Sequence, residues 1–239
     1  MELDDSLRHK VAAYKPTPEA LRPIRRAPIL LLAGTTGAGK DAVIGHLLAT
    51  YPNEYDFIVS HVTRSPRPYE KEGVHYHFID FAKAKQLLDS HGYIEADIVH
   101  AEDIYGSTIG EVKRIRDQGK IATSDITIQG CDHYVGLGLN AKAVFLLPPS
   151  YEIWQKRLSK RNDAMDAPEL KRRLKSALRE VRHALATPHY YIVINDDLEN
   201  TAELVNRIAH GEPVERHYHK AMEIAEEMIA QINAEIGRL

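Results

Sequence analysis

Cysteine is almost absent: Cys131 is the only one in 239 residues. An intramolecular disulfide is therefore excluded, as is any metal site built from cysteines alone. Long apolar runs are missing as well. The longest, Ile29 to Ala33, falls far short of the roughly 20 residues a bilayer-spanning helix needs. Nor is either charge in excess. With 31 Lys and Arg against 34 Asp and Glu, the formal charge is −3, which gives no global basic field to attract nucleic acid or an anionic membrane. The expected partners are small molecules, and any phosphate chemistry must be local. The opening stretch MELDDSLRHK is acidic and lacks an apolar centre, unlike a secretory leader, so a cytoplasmic location is expected. Internal repeats and low-complexity tracts are also lacking.

What is present is enough apolar material, 44% of the residues, to bury a substantial core. Short apolar runs alternate with longer amphipathic ones: PILLLAG, DFIVS, KIATSD, KAVFLLP and YYIVIN each precede a helical stretch. This is the βαβ rhythm of a parallel sheet with helices on both faces. Between Thr63 and about Ser107 the rhythm changes to a Pro-rich loop, an aromatic strand HYHFI, a short helix FAKAKQLLD and a strand YIEADIV, which predicts a small inserted subdomain. Leu3, Leu7, Val11 and Tyr14 predict a short helix ahead of a Pro- and Arg-containing arm. Leu170, Leu174, Leu178, Val181 and Leu185 predict an amphipathic helix from Glu169 to Ala186, preceded by the turn-rich segment RNDAMDAP that suits a mobile lid. Met222, Ala225, Met228, Ile229, Ile232 and Ile236 form a last apolar stripe.

The first strand runs straight into GTTGAGKD, residues Gly34, Thr35, Thr36, Gly37, Ala38, Gly39, Lys40 and Asp41. Glycines at this spacing let successive backbone N–H groups turn inward, the next helix adds its positive N-terminal end, and the lysine reaches the β- and γ-phosphates of a nucleotide. An ATP phosphate chain is the natural occupant. The departure from the common pattern is Asp41, where a Ser or Thr usually meets Mg²⁺. A carboxylate there engages the metal directly or through water and makes its charge more necessary.

After the second strand comes VSHVTRSPRPYEKEGVHYHF, and beyond it YIEADIVHAEDIYGST and ATSDITIQG. Arginines at 64 and 67 on one loop suit bidentate recognition of a dianion. His75 and His77 share one strand face, but without a third ligand they do not predict a zinc site. Taken with the glycine turn, these segments resemble the guanylate kinase family, in the same order and from about Ile29 to Ala209. The resemblance implies a three-layer P-loop NTPase sandwich with a parallel core sheet, an inserted monophosphate-binding subdomain and a helical lid. It implies that Arg64, Arg67, Tyr76 and Tyr105 meet the acceptor phosphate, that Ser60, Glu95, Gly106 and Ser107 line the base pocket, and that Asp125 serves Mg²⁺ with Asp41. Glu95 has only acceptors to offer, which suits the two donors on guanine and not the acceptor–donor edge of adenine.

Thr127 stands where the family pattern has a second carboxylate. Arg157, Arg161 and Arg173, on the helices flanking the lid, are implied to reach the transferring phosphate or the adenine, and Asn195 to lie near the ATP base. The implied organisation is an N-terminal extension (1–26), a guanylate-kinase-like domain (27–210) with its acceptor subdomain at about 61–108 and its lid at about 157–172, and a C-terminal helical extension (211–239). The implied function is Mg²⁺-dependent transfer from ATP to GMP or dGMP by a monomer or homodimer. Ribose 1,5-bisphosphate phosphokinase-like activity, favoured by Asp41 and Thr127, and a non-catalytic binding module are the rival readings.

Overall fold

The structure is a computed structural model that describes residues 3–99, 101–161, 166–215 and 219–238, without the side chains of Lys160 and Arg161. In chain order the elements are α1 (Asp5–Ala12), α2 (Pro18–Leu21), a 3₁₀ turn (Arg22–Ile24), β1 (Ile29–Gly34), α3 (Lys40–Thr50), β2 (Tyr55–Phe57), β3 (His61–Val62), β4 (His77–Phe78), α4 (Phe81–Asp89) and β5 (Tyr93–Val99). They continue with β6 (Asp103–Thr108), α5 (Ile109–Asp117), β7 (Ile121–Asp125), α6 (Ile128–Gly136), β8 (Ala141–Leu147), α7 (Tyr151–Arg161), α8 (Ala167–Ala186), β9 (Tyr190–Ile194), α9 (Leu198–Ala209) and α10 (His219–Arg238). Two compact units form. One holds residues 1–29, 54–124 and 136–140, and the other residues 30–53, 125–135 and 141–239.

The first unit contains a four-stranded sheet in the order β4-β3-β6-β5. β3 pairs parallel with β4 and antiparallel with β6, which pairs antiparallel with β5. The β5–β6 ladder carries a register shift. Tyr93 pairs with Thr108 while Glu95 pairs with the next residue back, Ser107. Adjacent residues of a strand face opposite ways, so the shift sends Tyr93 to one face and Glu95 to the other. Tyr93 enters a core with Leu7, Val11, Ala84, Leu88 and Ile104. Glu95 meets Ser107 on the opposite side. The aromatic run HYHFI yields only the two-residue β4, where the Phe78 N–H donates to the Glu72 carboxylate at 2.8 Å.

The N-terminal segment belongs to this core. Asp4 caps α1 by accepting from the Leu7 N–H at 2.7 Å, and Leu7 and Val11 are the buried residues of that helix. The Tyr14 hydroxyl donates to the Tyr93 carbonyl at 2.7 Å and accepts from the Tyr93 N–H at 3.0 Å. One hydroxyl thus satisfies both main-chain groups of a buried residue.

In the second unit β1, β8 and β9 lie in that order, with β8 and β9 parallel. β1, β8 and β9 are nearly continuous buried apolar runs, as strands covered on both faces should be. The stripe of α8 is narrower in its large residues than its leucines suggest: the buried positions are Leu174, Ala177, Val181 and Ala184, while Leu170, Leu178 and Leu185 are half-buried. Small alanines at two of the four contacts allow close approach. On α10 the buried face is Ala221, Ala225, Met228 and Ile232, shifted from the larger residues Met222, Ile229 and Ile236, and α10 packs on α7, α8 and β9. Among the described residues, no helix is long and apolar enough to cross a membrane.

Tyr14→Phe is expected to destabilise the chain by about 1–3 kcal/mol in urea unfolding, because a buried N–H and carbonyl lose their shared partner. A change below roughly 0.5 kcal/mol, the scale of an ordinary surface substitution, would show that the hydroxyl does not tie the arm down.

Candidate active site

The glycine turn lies between β1 and α3. Helices α1, α4, α5, α8 and α9 each start on an Asp or Thr whose side chain accepts from the first-turn backbone. α3 does not. Its N-cap is Gly39 at φ 97°, with no side-chain cap, and a helix N-terminus of this kind suits an anion. A Cβ at Gly39 would fall 2.2 Å from Asn195 Nδ2, and only glycine accepts both the left-handed backbone and that approach.

The carbonyls of the turn, by contrast, are taken. Trp154 Nε1 donates to the Thr36 carbonyl at 2.8 Å. Asn195 Nδ2 donates to the Ala38 carbonyl at 2.7 Å, where Arg157 Nη1 also reaches at 3.4 Å while its Nη2 donates to the Asn195 carbonyl at 3.2 Å. Lys40 Nζ donates to the Gly34 carbonyl at 2.7 Å. Thr35 is fully buried, and its hydroxyl oxygen has no hydrogen-bond partner. Asn195 and Arg157, implied to meet nucleotide, both brace the turn itself.

Beside the turn a cavity of about 670 Å³ is lined by Gly34, Thr36, Lys40, Asp125, Thr127 and, on α8, by Ser176, Arg179, Glu180 and His183. Asp125 and Thr127 are thus in the same cavity wall as Lys40. Thr127 Oγ1 accepts from the Gly130 N–H at 3.1 Å and caps α6. Ser176 Oγ donates to Glu180 Oε1 at 2.9 Å, and burial pushes the Glu180 carboxyl above the usual carboxylate range. Arg173 lies nearby in a second depression with Thr36 and Trp154, its Nε donating to Glu169 at 2.7 Å. Arg161 ends α7, and its side chain lies outside the described residues, as do residues 162–165 of the expected lid.

The α8 quartet was not anticipated, although its signal is in the sequence. Ser176, Arg179, Glu180 and His183 stand at i, i+3, i+4 and i+7, a polar stripe beside the apolar one.

In the other unit most of the predicted acceptor residues come together, whereas Thr127, also expected at the acceptor, lines the cavity beside the glycine turn. Ser107 Oγ donates to Glu95 Oε1 at 3.0 Å and lies 3.4 Å from Ser60 Oγ. Gly106 is required there, since a Cβ would fall 2.6 Å from the Glu95 carbonyl. Arg64 Nε donates to the Tyr105 hydroxyl at 2.8 Å, and the Tyr76 and Tyr105 rings meet edge to face at 5.8 Å. Arg67 is exposed, its Nη1 donating to the Tyr69 hydroxyl at 3.2 Å. Glu70, to which no role was given, binds Arg64 through both carboxylate oxygens at 2.6 and 2.7 Å. The His77 ring is held by Glu72 at 2.9 Å and Glu111 at 3.4 Å. Among the described residues no cluster of three or more His, Cys, Asp or Glu can hold a metal ion.

Comparison with known proteins places this geometry in context. Residues 25–212 match the family model described as guanylate kinase. Guanylate kinase 1 of Oryza sativa subsp. japonica is 32% identical over 180 residues, 75% of this chain and 47% of that protein. Guanylate kinase of Methylobacillus flagellatus is 34% identical over 189 residues, 79% of this chain and 91% of that protein. The chain thus spans about half the length of the rice relative and of a similar one from Arabidopsis thaliana. The crystal structure of guanylate kinase from Anaplasma phagocytophilum superposes with a TM-score of 0.56 at 26% identity, covering 82% of this chain and 90% of that one.

Gly39→Ala should cost about 1–3 kcal/mol through its left-handed backbone, and more where the new methyl displaces Asn195. If the contact with Asn195 matters, Gly39→Ala with Asn195→Ala will be less destabilised than the sum of the two single variants in denaturant melts. Strict additivity would remove the contact from the account.

Proposed function

The chain belongs to the guanylate kinase family, and from that premise we propose that it transfers the terminal phosphate of ATP to GMP or dGMP. The glycine turn and Lys40 receive the ATP phosphates. Arg64, Arg67, Tyr76 and Tyr105 receive the acceptor phosphate, while Ser60, Glu95 and Ser107 read the base. Phosphoryl transfer needs in-line placement and charge compensation, and no covalent nucleophile. Arg157 and Arg173, already beside the turn, add positive charge for the γ-phosphate.

The observation that carries this reading is the Glu95–Ser107–Ser60 group, placed by the shifted register on the face opposite the Tyr93 core. A half-buried acceptor-only carboxylate supported by two hydroxyls is a device for reading a base edge with two donors. Ribose 1,5-bisphosphate has no base and would leave that group unused.

Mg²⁺ fits the donor residues. It normally takes one or two carboxylates plus phosphate oxygens and water, and Asp125 in the cavity wall with Lys40, together with Asp41 in the first turn of α3, supplies that number. When bound it would neutralise phosphate charge. Thr127, whose hydroxyl already caps α6, adds no charge to this wall.

A coupled assay of ADP formation with GMP, dGMP, AMP and ribose 1,5-bisphosphate tests the proposal. GMP should exceed AMP in kcat/KM by at least about a hundredfold, since a site built to hydrogen-bond one edge leaves polar groups unpaired with the other. A preference for ribose 1,5-bisphosphate, or silence with every acceptor, would overturn it.

Lys40→Ala should lower kcat/KM by at least roughly 10²–10³, the scale of losing one preorganised donor at developing charge, with an unchanged far-UV spectrum. Retained transfer would remove Lys40 from the donor site.

A further inference from the structure

Resting on the acceptor reading just given, we infer that Tyr14, on the N-terminal arm, is a positioning residue for base choice: by holding the main chain of Tyr93 it keeps the strand register that turns Glu95 toward the base.

The arm lies outside the residues that match the family model, which begin at 25, yet it belongs to the same compact unit as Ser60, Glu95 and Ser107. β5 ends the strand order of its sheet, and an end strand is held by a neighbour on one side only. Along it the pairing shifts between Tyr93 and Glu95. Such a shift is a point where register is easily lost, because a slip of one residue turns the side chains beyond it to the other face. Glu95 would then leave Ser107 and point into the core. The Tyr14 hydroxyl closes that route, donating to the Tyr93 carbonyl at 2.7 Å and accepting from the Tyr93 N–H at 3.0 Å.

Two further contacts carry the effect to the residues that read the base. The Tyr93 ring lies against the main chain of Gly106, where a Cβ would fall 2.7 and 2.8 Å from two of its ring carbons. Gly106 precedes Ser107, the donor to Glu95, so Tyr93 supports both halves of that pair from the opposite face. Tyr14 is itself anchored by more than its hydroxyl. Its ring meets Tyr93 edge to face at 6.1 Å, and Leu7 and Val11 of α1 enter the Tyr93 core. Lys10 bonds to Asp89, and the Lys15 carbonyl lies 3.2 Å from His91 Nδ1. Loss of the hydroxyl alone therefore leaves the arm docked. Burial pushes the phenol up to about 12, so the hydroxyl keeps its proton, and with it the donor, at any working pH.

The test uses the full chain as wild type, Tyr14→Phe, Glu95→Ala and the double variant. It reads kcat/KM for GMP and for IMP, KM for ATP, and a thermal melt. IMP lacks the 2-amino donor of guanine, so the ratio of GMP to IMP reports the alignment of Glu95 and does not depend on the fraction of chain that is folded. Tyr14→Phe should lower that ratio at least about fivefold, the scale of one weakened hydrogen bond, while KM for ATP moves less than about twofold. Adding Tyr14→Phe to Glu95→Ala should lower it no further. Val112→Ala, which trims a buried α5 side chain outside the Tyr93 core, should lower the melting temperature and keep the ratio.

An unchanged ratio in Tyr14→Phe overturns the inference. An equal fall in Val112→Ala would mark the effect as general loosening, and a further fall in the Glu95→Ala background would place it elsewhere than at Glu95, each with the same result. Should Tyr14→Phe fail to fold, Val11→Ala, which weakens an anchor one turn ahead of Tyr14, decides alone: a lowered ratio supports the inference, and a kept ratio overturns it. A wild type that does not prefer GMP to IMP would sink the acceptor reading along with this one, whereas a wild-type preference that Tyr14→Phe retains would sink this one alone.

Discussion

The glycine turn depends on one constraint: α3 starts without a side-chain cap while the carbonyls around that start are occupied. Helices α1, α2, α4, α5, α6, α8 and α9 close their first turn with an Asp or Thr side chain. Here Gly39 replaces such a cap, and the side chains that would otherwise satisfy donors satisfy acceptors. Trp154, Asn195 and Lys40 each take a carbonyl of the turn. The result is a loop fixed by its acceptors and polarised toward anions by its donors, so rigidity and affinity come from different halves of the same peptide groups.

The first unit and α8 treat charge in a related way. Cations are paired in advance with carboxylates of their own neighbourhood: Arg64 with Glu70, Arg114 with Asp56 and Glu111, Arg172 and Arg173 with Glu169. Pairing reduces the pull on a distant anion but removes most of the rotamer freedom of a long side chain, and geometry is what transfer between two phosphates demands. The partly neutralised arginines are more valuable for where they hold their neighbours than for bare charge.

Much of this was legible in the sequence because the relevant signals are local. The βαβ alternation, the strand–turn–helix around Gly34 to Asp41, and the helix FAKAKQLLD over Phe81–Asp89 each depend on residues a few positions apart. What escaped depends on pairings that spacing does not encode. Nothing in TRSPRPYE says that the carboxylate at 70 would take the fork of the arginine at 64 and leave the one at 67. The one-residue register shift that separates Tyr93 from Glu95 is equally invisible, since simple alternation puts both on one face. On α8 and α10 the buried faces include Ala177, Ala184 and Ala221, small residues that a stripe of large apolar side chains does not reveal. Arg161 and residues 162–165 of the expected lid lie outside the described residues, and that part of the reading stays a sequence expectation.

Trp154 is the only tryptophan of the chain. It is 1% exposed, and its indole nitrogen is bonded to the glycine turn. A single fluorophore, carried by α7, is therefore hydrogen-bonded to the loop where the phosphates are expected to sit. Its emission reports on the electric field and hydrogen bonding at that one peptide, free of background from any other indole, so occupancy of the turn is optically readable in the unlabelled protein.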